Sequence, residues 1–276
     1  WKIVAQLKKD KLFEAEHKEG RFWDENQVTK IFEKTKEATE AKVISVKTNR
    51  KNERPPPPFN TTSFIQAASY VRVSAAQAMK TAEELYMNGL ISYPRTDNTV
   101  YPESLDLQGI LSKLEHSEFS DDVKLIRNNL RNNPVRGKKK TTDHPPIHPV
   151  DLPKTELKGR TKRIYDLIVK RFLATLSQDA ISETMKVEFD IHGEIFKSQG
   201  YRLIEPKWRE VYTYIKSKET LLPLLEKSEI VSINKINLIK DETKPPNRYS
   251  QGTLIGKMEQ LSLGTKSTRH DIINKL

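Results

Sequence analysis

At 276 residues the chain has room for two domains or one large one. Its 48 Lys and Arg against 37 Asp and Glu leave a formal charge of +11 and a pI near 9.5, which points to a polyanionic partner. No apolar run approaches the roughly 20 residues that span a bilayer, so that partner is nucleic acid before membrane, and the absence of cysteine excludes disulfides, Cys-ligated zinc and a thiol nucleophile.

An intracellular, cytoplasmic protein fits that cysteine usage. The sequence opens on Trp1 and alternates at once through Ile3, Ala5 and Leu7, so it reads as a strand with no signal peptide, at the start of an interior piece of a longer protein. A second short strand is expected at Leu12-Phe13, a helix over Val28–Thr39 announced by Asp24-Glu25-Asn26, and a strand at Val43–Val46. The run Pro55–Pro58 has no backbone donors and reads as an extended connector.

Residues 61–88 predict two helices. The second carries a capping-box pattern at Ser74 and Gln77, apolar Ala78, Ala82, Leu85 and Tyr86 at helical spacing, and Gly89 as its stop. A helix, a turn, a second helix and an extended segment follow the order of a winged-helix unit, with Tyr93 on the strand after the second helix. Further helices are expected at Leu105–Leu114 and Val123–Leu130, then a basic loop at Arg136–Thr142. A strongly periodic helix follows at Thr161–Ser177, with Ile164, Ile168, Phe172 and Leu176 on one face. From residue 182 the pattern turns to strands: Val187, Phe189 and Ile191 alternate before a His192-Gly193 hairpin turn, and Val231, Ile233, Ile236 and Leu238 suggest a strand pair.

Strands at both ends and helices between them predict an α+β chain. A β-rich domain made of 1–57 and 181–241 would receive an inserted helical domain, 58–180, and 242–276 would begin a third, helical unit.

The stretch Gly89-Leu90-Ile91-Ser92-Tyr93-Pro94-Arg95-Thr96-Asp97-Asn98 groups a tyrosine, an arginine and an aspartate. A tyrosine hydroxyl is a poor nucleophile at neutral pH and needs cationic help both to ionise and to hold the phosphate it attacks. Pro94 biases Tyr93 to extended backbone, and residues two apart on an extended chain share a face, so Arg95 is placed to give that help. Taken singly, a tyrosine in an apolar-leading run is most often a half-buried strand residue. Two loops that look like phosphate binders are not: Gly252 to Gly256 has three intervening residues and Met258 where a Walker A loop has four and a Ser or Thr, and Lys266-Ser267-Thr268 lacks the glycine frame.

The tyrosine stretch resembles the active-site segment of the type IA DNA topoisomerases, with Pro94 as in archaeal topoisomerase I and topoisomerase III-like members. Three further segments are similar to the family pattern and occur in its order. They are Pro55–Ser63 with Ala67-Ala68-Ser69, Asp143-His144-Pro145-Pro146-Ile147-His148-Pro149, and the tail made of Lys244–Gln251 and Leu263–Arg269. The resemblance implies a β-rich arch carrying a helical, winged-helix-like tyrosine domain, with 242–276 opening the base domain that lines a single-stranded DNA groove.

It also implies chemistry. Tyr93 would be the nucleophile of a transient single-strand break held as a 5′-phosphotyrosine, Arg95 would bind the scissile phosphate, and Asp97 would orient Arg95. His144 would contact the same phosphate or an acid from another domain, Arg248, Ser267, Thr268 and Arg269 would line the groove, and His148 receives no role. Strand passage and resealing would relax negatively supercoiled DNA without ATP. The magnesium such enzymes use is held by the glutamate and Asp-x-Asp carboxylates of a separate Toprim domain, and this chain contains no Asp-x-Asp. The expectation is therefore a monomeric enzyme, cytoplasmic and nucleoid-associated, with single-stranded DNA and its own Toprim domain as partners, no metal site in this chain, and no activity from this chain alone.

The resemblance extends to plain relaxing enzymes, decatenating topoisomerase III and the topoisomerase half of reverse gyrase. A non-catalytic winged-helix DNA-binding module would explain the charge and the helix pair but not the ordered motifs. A tyrosine recombinase or replication initiator would show clustered arginines with histidine, or His-x-His, and neither pattern is present.

Overall fold

The computed structural model describes residues 1–275, which separate into two compact units. The first comprises Trp1–Asn52, Ile181–Glu205 and Ser217–Pro246; the second comprises Glu53–Ala180, Pro206–Lys216 and the residues from Asn247 on. The chain is α+β, with its strands in one unit and most of its helices in the other.

The first unit is a closed barrel of β1 (Lys2–Lys8), β2 (Leu12–His17), β3 (Glu40–Glu53), β4 (Ala180–Ile191), β5 (Glu194–Glu205) and β6 (Ile230–Ile239), in the order β1-β2-β5-β4-β3-β6. Alternation fills it: Ile3, Ala5 and Leu7 point inward from β1 to meet Phe13, Ala15, Val187, Phe189, Ile191 and Phe196. Helix α1 (Glu25–Thr35) starts three residues before the expected Val28, because the Asp24 carboxylate accepts the amides of Asn26 and Gln27. The hairpin at His192-Gly193 is present, with both residues at positive φ (51° and 79°) as a two-residue turn requires.

The expected strand pair at 231–238 is a single strand. β6 pairs with β1, and its register slips where Leu7 faces Ile233 but Gln6 faces Lys235, so Asn234 is a bulge residue. The break in alternation that resembled a turn is that bulge, pinned by Asn234 Nδ2 donating to Gln6 Oε1 at 2.5 Å. β3 runs on to Glu53, well past Val46, through polar residues that carry no apolar period.

The second unit contains α2 (Thr61–Ala68), α3 (Ala75–Met87), α4 (Leu107–Glu115), α5 (Ser120–Asn128), α6 (Gly159–Leu176), a short α7 (Trp208–Val211), α8 (Gln251–Gln260) and α9 (Arg269–Asn274). α6 is its axis, with Ile164, Ile168, Phe172 and Leu176 buried as their spacing predicts. The capping box belongs to α2, where Asn60 and Ser63 exchange hydrogen bonds. Ser74 precedes α3 without a side-chain cap, and the Ala75 amide instead donates to Gln251 Oε1 at 3.2 Å.

Segment 206–216 packs with the helices rather than with the β-rich part: Lys207 Nζ donates to Asn129 Oδ1 (2.8 Å), and the Tyr212 ring centroid lies 4.6 Å from the guanidinium of Arg171 on α6. The tail does not stand apart as a third unit. Gly252 and Gly256 let α8 lie close on α2, where an added Cβ at Gly252 would come within 3.3 Å of the Gln66 Cα. The glycine spacing that resembled a phosphate loop is thus a packing notch. Among the described residues no helix is long and apolar enough to cross a membrane.

Candidate active site

α3 ends in a Schellman turn. Gly89, at φ 73°, donates to the Tyr86 carbonyl and Leu90 to the Leu85 carbonyl, at 2.8 and 3.0 Å, and this swings the chain sharply out of the helix. Leu90 and Ile91 are buried, and Ile91 makes a single antiparallel bridge to Pro149. Ser92 fastens the segment. Its amide donates to the His148 carbonyl (3.0 Å), its hydroxyl to the Pro146 carbonyl (3.0 Å), and it accepts the His148 amide (3.0 Å).

No ladder continues from there. The next antiparallel pair would set Tyr93 against Ile147, but it needs an N–H that Pro94 lacks and the His148 amide that the Ser92 hydroxyl already holds, so Tyr93 lies outside any strand and not on the expected one. Thr61, the first residue of α2, steadies the residues just beyond Tyr93: its hydroxyl donates to the Pro94 carbonyl (2.8 Å) and accepts the Thr96 amide (2.8 Å). Buried Thr96 and Asn98 then reach the His144 carbonyl, at 3.1 and 3.2 Å, so the tyrosine segment itself places the histidine segment.

The outcome is a cluster of three rings. The half-buried Tyr93 ring lies 4.7 Å from the ring of exposed His144 and 5.2 Å, edge-on, from Tyr86. Arg95 donates from Nε (2.8 Å) and Nη2 (2.5 Å) to Glu83 Oε1, and from Nη1 to the Ser267 carbonyl (3.0 Å). The acid on Arg95 is therefore Glu83, on α3, and not the expected Asp97. No spacing rule points to it, since Glu83 stands ten positions upstream of Tyr93, on the helix before the Gly89 turn.

The tail reaches the site through its backbone and one lysine. Lys266 Nζ donates to Asp143 Oδ2 (2.7 Å) and the Thr141 hydroxyl to Asp143 Oδ1 (2.6 Å), and these two bonds hold the Asp143 carboxyl well below the usual carboxylate range. The other expected groove residues divide. Arg248 is exposed in the coil before α8, and Thr268 is exposed with its hydroxyl accepting the Thr265 amide (2.9 Å). Arg269 is buried, its guanidinium on the Leu263 and Gly264 carbonyls at 3.0 and 3.2 Å, so it holds the turn that presents Ser267 and is not open to a phosphate. His148 is buried with Nδ1 on the Pro146 carbonyl (2.7 Å), a fold contact. His270, not singled out by sequence, is buried with Nδ1 unpartnered, and burial keeps its pKa low.

Glu83 and Asp143 each hold a cation, and among the described residues no three His, Cys, Asp or Glu side chains gather as a metal would need.

A protein-family model described as DNA topoisomerase matches residues 1–276. DNA topoisomerase 1 of Thermoplasma acidophilum is 45% identical over 276 residues, covering 100% of this chain and 36% of that protein. DNA topoisomerase 1 of Archaeoglobus fulgidus is 46% identical over 265 residues (96% of this chain, 39% of that protein), and DNA topoisomerase 3 of Dictyostelium discoideum is 35% identical over 254 (90% and 30%). Among solved structures, full-length topoisomerase I from Thermotoga maritima superposes with a TM-score of 0.76 at 24% identity, covering 100% of this chain and 46% of that one, a likeness of fold. The chain spans between a third and two fifths of the archaeal relatives named here. A match of the family model from the first residue to the last, joined to archaeal relatives 45% and 46% identical over nearly the whole chain, means that the chain belongs to the type IA DNA topoisomerases.

Proposed function

We propose that the full-length protein breaks and reseals one strand of DNA through Tyr93, relaxing negatively supercoiled DNA by passing a second strand through the gap. The Tyr93 oxygen bonds to phosphorus as the bond from phosphorus to the 3′ oxygen breaks; the phenol proton leaves and the 3′ oxygen takes one up. One ester replaces another of similar energy, so cleavage and resealing need no ATP. Arg95 offers N–H donors to the charge that builds on the phosphate oxygens, and exposed His144, in ring contact with Tyr93, donates a further hydrogen bond when protonated.

The observation that carries this reading is the fixed backbone of the tyrosine segment, bound on one side by Ser92 and on the other by Thr61 and Thr96, which leaves the Tyr93 side chain against the rings of His144 and Tyr86. On the same reading the barrel is the arch, the helical unit is the winged-helix-like tyrosine domain, and the tail opens the DNA groove. The substrate is single-stranded DNA in a monomeric, nucleoid-associated enzyme. Magnesium belongs to a Toprim domain of the same protein, and the present chain alone relaxes no DNA.

The test is covalent capture of an end-labelled single-stranded oligonucleotide by the full-length protein. Tyr93→Phe keeps the ring and removes the nucleophilic oxygen, so capture and relaxation are abolished while folding and single-strand binding persist. Undiminished capture by the Phe variant would move the nucleophile elsewhere.

A further inference from the structure

Arg95 is not a free cation waiting for a phosphate. A guanidinium carries five N–H donors. The Nε donor and one on Nη2 are spent on Glu83 Oε1, and one on Nη1 is spent on the Ser267 carbonyl, which leaves one N–H on each terminal nitrogen. One donor from each of two nitrogens is what bidentate phosphate recognition uses. The guanidinium plane is set by bonds to two separate elements, the α3 carboxylate and the tail backbone. Of the two side chains in the ion pair, Arg95 is the more enclosed, 23% exposed against 39% for Glu83.

Taking Tyr93 as the nucleophile, we infer that Glu83 is a positioning residue. It holds Arg95 by the Nε edge so that the remaining Nη donors meet the scissile phosphate beside Tyr93. Glu83 touches neither DNA nor the reacting atoms. It acts by removing the rotational freedom of a long side chain before the phosphate arrives, and its charge partly offsets that of Arg95, so orientation rather than bulk attraction is what it supplies. Rate and affinity must then respond differently to its loss.

The experiment uses the full-length protein and single-turnover covalent capture across a range of oligonucleotide concentrations. Glu83→Ala should lower the maximal capture rate by roughly 10-fold to 100-fold, the scale for losing alignment of a reacting group, while the half-saturating concentration stays within about threefold of wild type or falls. Glu83→Gln keeps an acceptor at the Nε edge and should recover most of the rate. In an Arg95→Ala background Glu83→Ala should cost little more, because there is nothing left to orient. Glu83→Asp, which keeps the charge one methylene short, should show the same fall in rate with affinity held, and serves if the Ala protein does not fold.

Wild-type rates in both Glu83→Ala and Glu83→Asp, or an equal loss with and without Arg95, would overturn the inference. A dead Tyr93→Phe beside a normal Glu83→Ala would sink only this inference. Capture by Tyr93→Phe would sink the reading beneath it.

Discussion

The helical unit and the barrel each build a glutamate–arginine cluster, and they load it in opposite senses. In the barrel Glu183 is enclosed, its side chain 10% exposed, and two arginines that lie largely in water converge on it: Arg50 Nε on Oε2 (3.0 Å) and Arg202 Nε on Oε1 (2.8 Å). Both carboxylate oxygens are used, and the two arginines hold the Glu183 carboxyl below the usual range. In the helical unit the arginine is the enclosed partner, and it keeps two donors unspent. A saturated acid between solvated cations fastens strands. An aligned cation with donors to spare is poised for an anion from outside.

Removing one partner from each cluster separates the two uses. Arg95→Ala in the full-length protein should cut DNA cleavage by roughly 10²–10³, the scale for losing one donor to a transition-state charge, with little change in melting temperature. Arg95→Lys should recover only part, since a point charge lacks the planar fork. Glu183→Ala should do the reverse, lowering the melting temperature and leaving single-turnover cleavage at saturating DNA unchanged. An Arg95→Lys enzyme as fast as wild type would refute the bidentate phosphate contact.

A third arginine extends the contrast because it has neither acid nor water. Arg171 on α6 is buried with its guanidinium 4.0 Å from the Phe59 ring centroid and 4.6 Å from that of Tyr212, and among the described residues no carboxylate reaches it. Burial pushes the Tyr212 phenol up to about 12 even against the pull of that charge. Here the arginine is a packing element, so Arg171→Ala should destabilise the helical unit by about 2–4 kcal/mol, the range for emptying a large buried site. Arg171→Met, which refills most of the volume, should cost less. Chemical denaturation of the three proteins measures both.

Much of this was legible in the sequence wherever one local rule decided the outcome. The alternation of Ile3, Ala5 and Leu7, the His192-Gly193 turn and the face of α6 all rest on side-chain period or on turn chemistry, and the structure has each of them. What was not legible depended on partners far along the chain. Asn234 mimics a turn because a bulge interrupts the period, and only pairing with Gln6 distinguishes the two. Ser74 has the capping pattern, yet its side chain makes no cap bond, and the adjoining Ala75 amide donates to Gln251, 176 positions away. In the site, the Tyr93 and His144 rings lie 4.7 Å apart, while the acid on Arg95 comes from the preceding helix and Arg269 turns inward to carbonyls, neither of which a local pattern shows.

The Lys266–Asp143 pair predicts a smaller effect. Both side chains are partly open to water, so the bond itself contributes little to stability. Asp143→Asn releases the Lys266 charge next to the site, and single-strand affinity of the full-length protein should rise by up to about fivefold at low salt, an exposed pair being worth no more. At high salt the gain should vanish by screening. Binding titrations at two ionic strengths test it, and a gain that survives high salt would mean that the introduced amide contacts the strand directly instead.

The smallest effect concerns protons and again divides the two units. His17 in the barrel and His148 in the helical unit both have pKa values lowered by burial. A histidine lowered in the folded state and ordinary, near 6.5, in the unfolded chain contributes no pH dependence well above 6.5, where neither state is protonated. As pH falls through that value the unfolded chain takes up a proton that the folded one refuses, so stability declines with acid until the folded histidine titrates as well. His17 has Glu194 at 3.3 Å, whose charge favours the proton, whereas His148 has only the Pro146 carbonyl at 2.7 Å. His148 should therefore account for the larger share of the loss between about pH 7.5 and 5.5. Urea unfolding at the two pH values tests this with His148→Gln, which removes the titration and keeps a polar group beside Pro146. The variant should be less stable than wild type at pH 7.5 yet lose less on acidification, and a parallel decline in both proteins would assign the acid sensitivity to other groups.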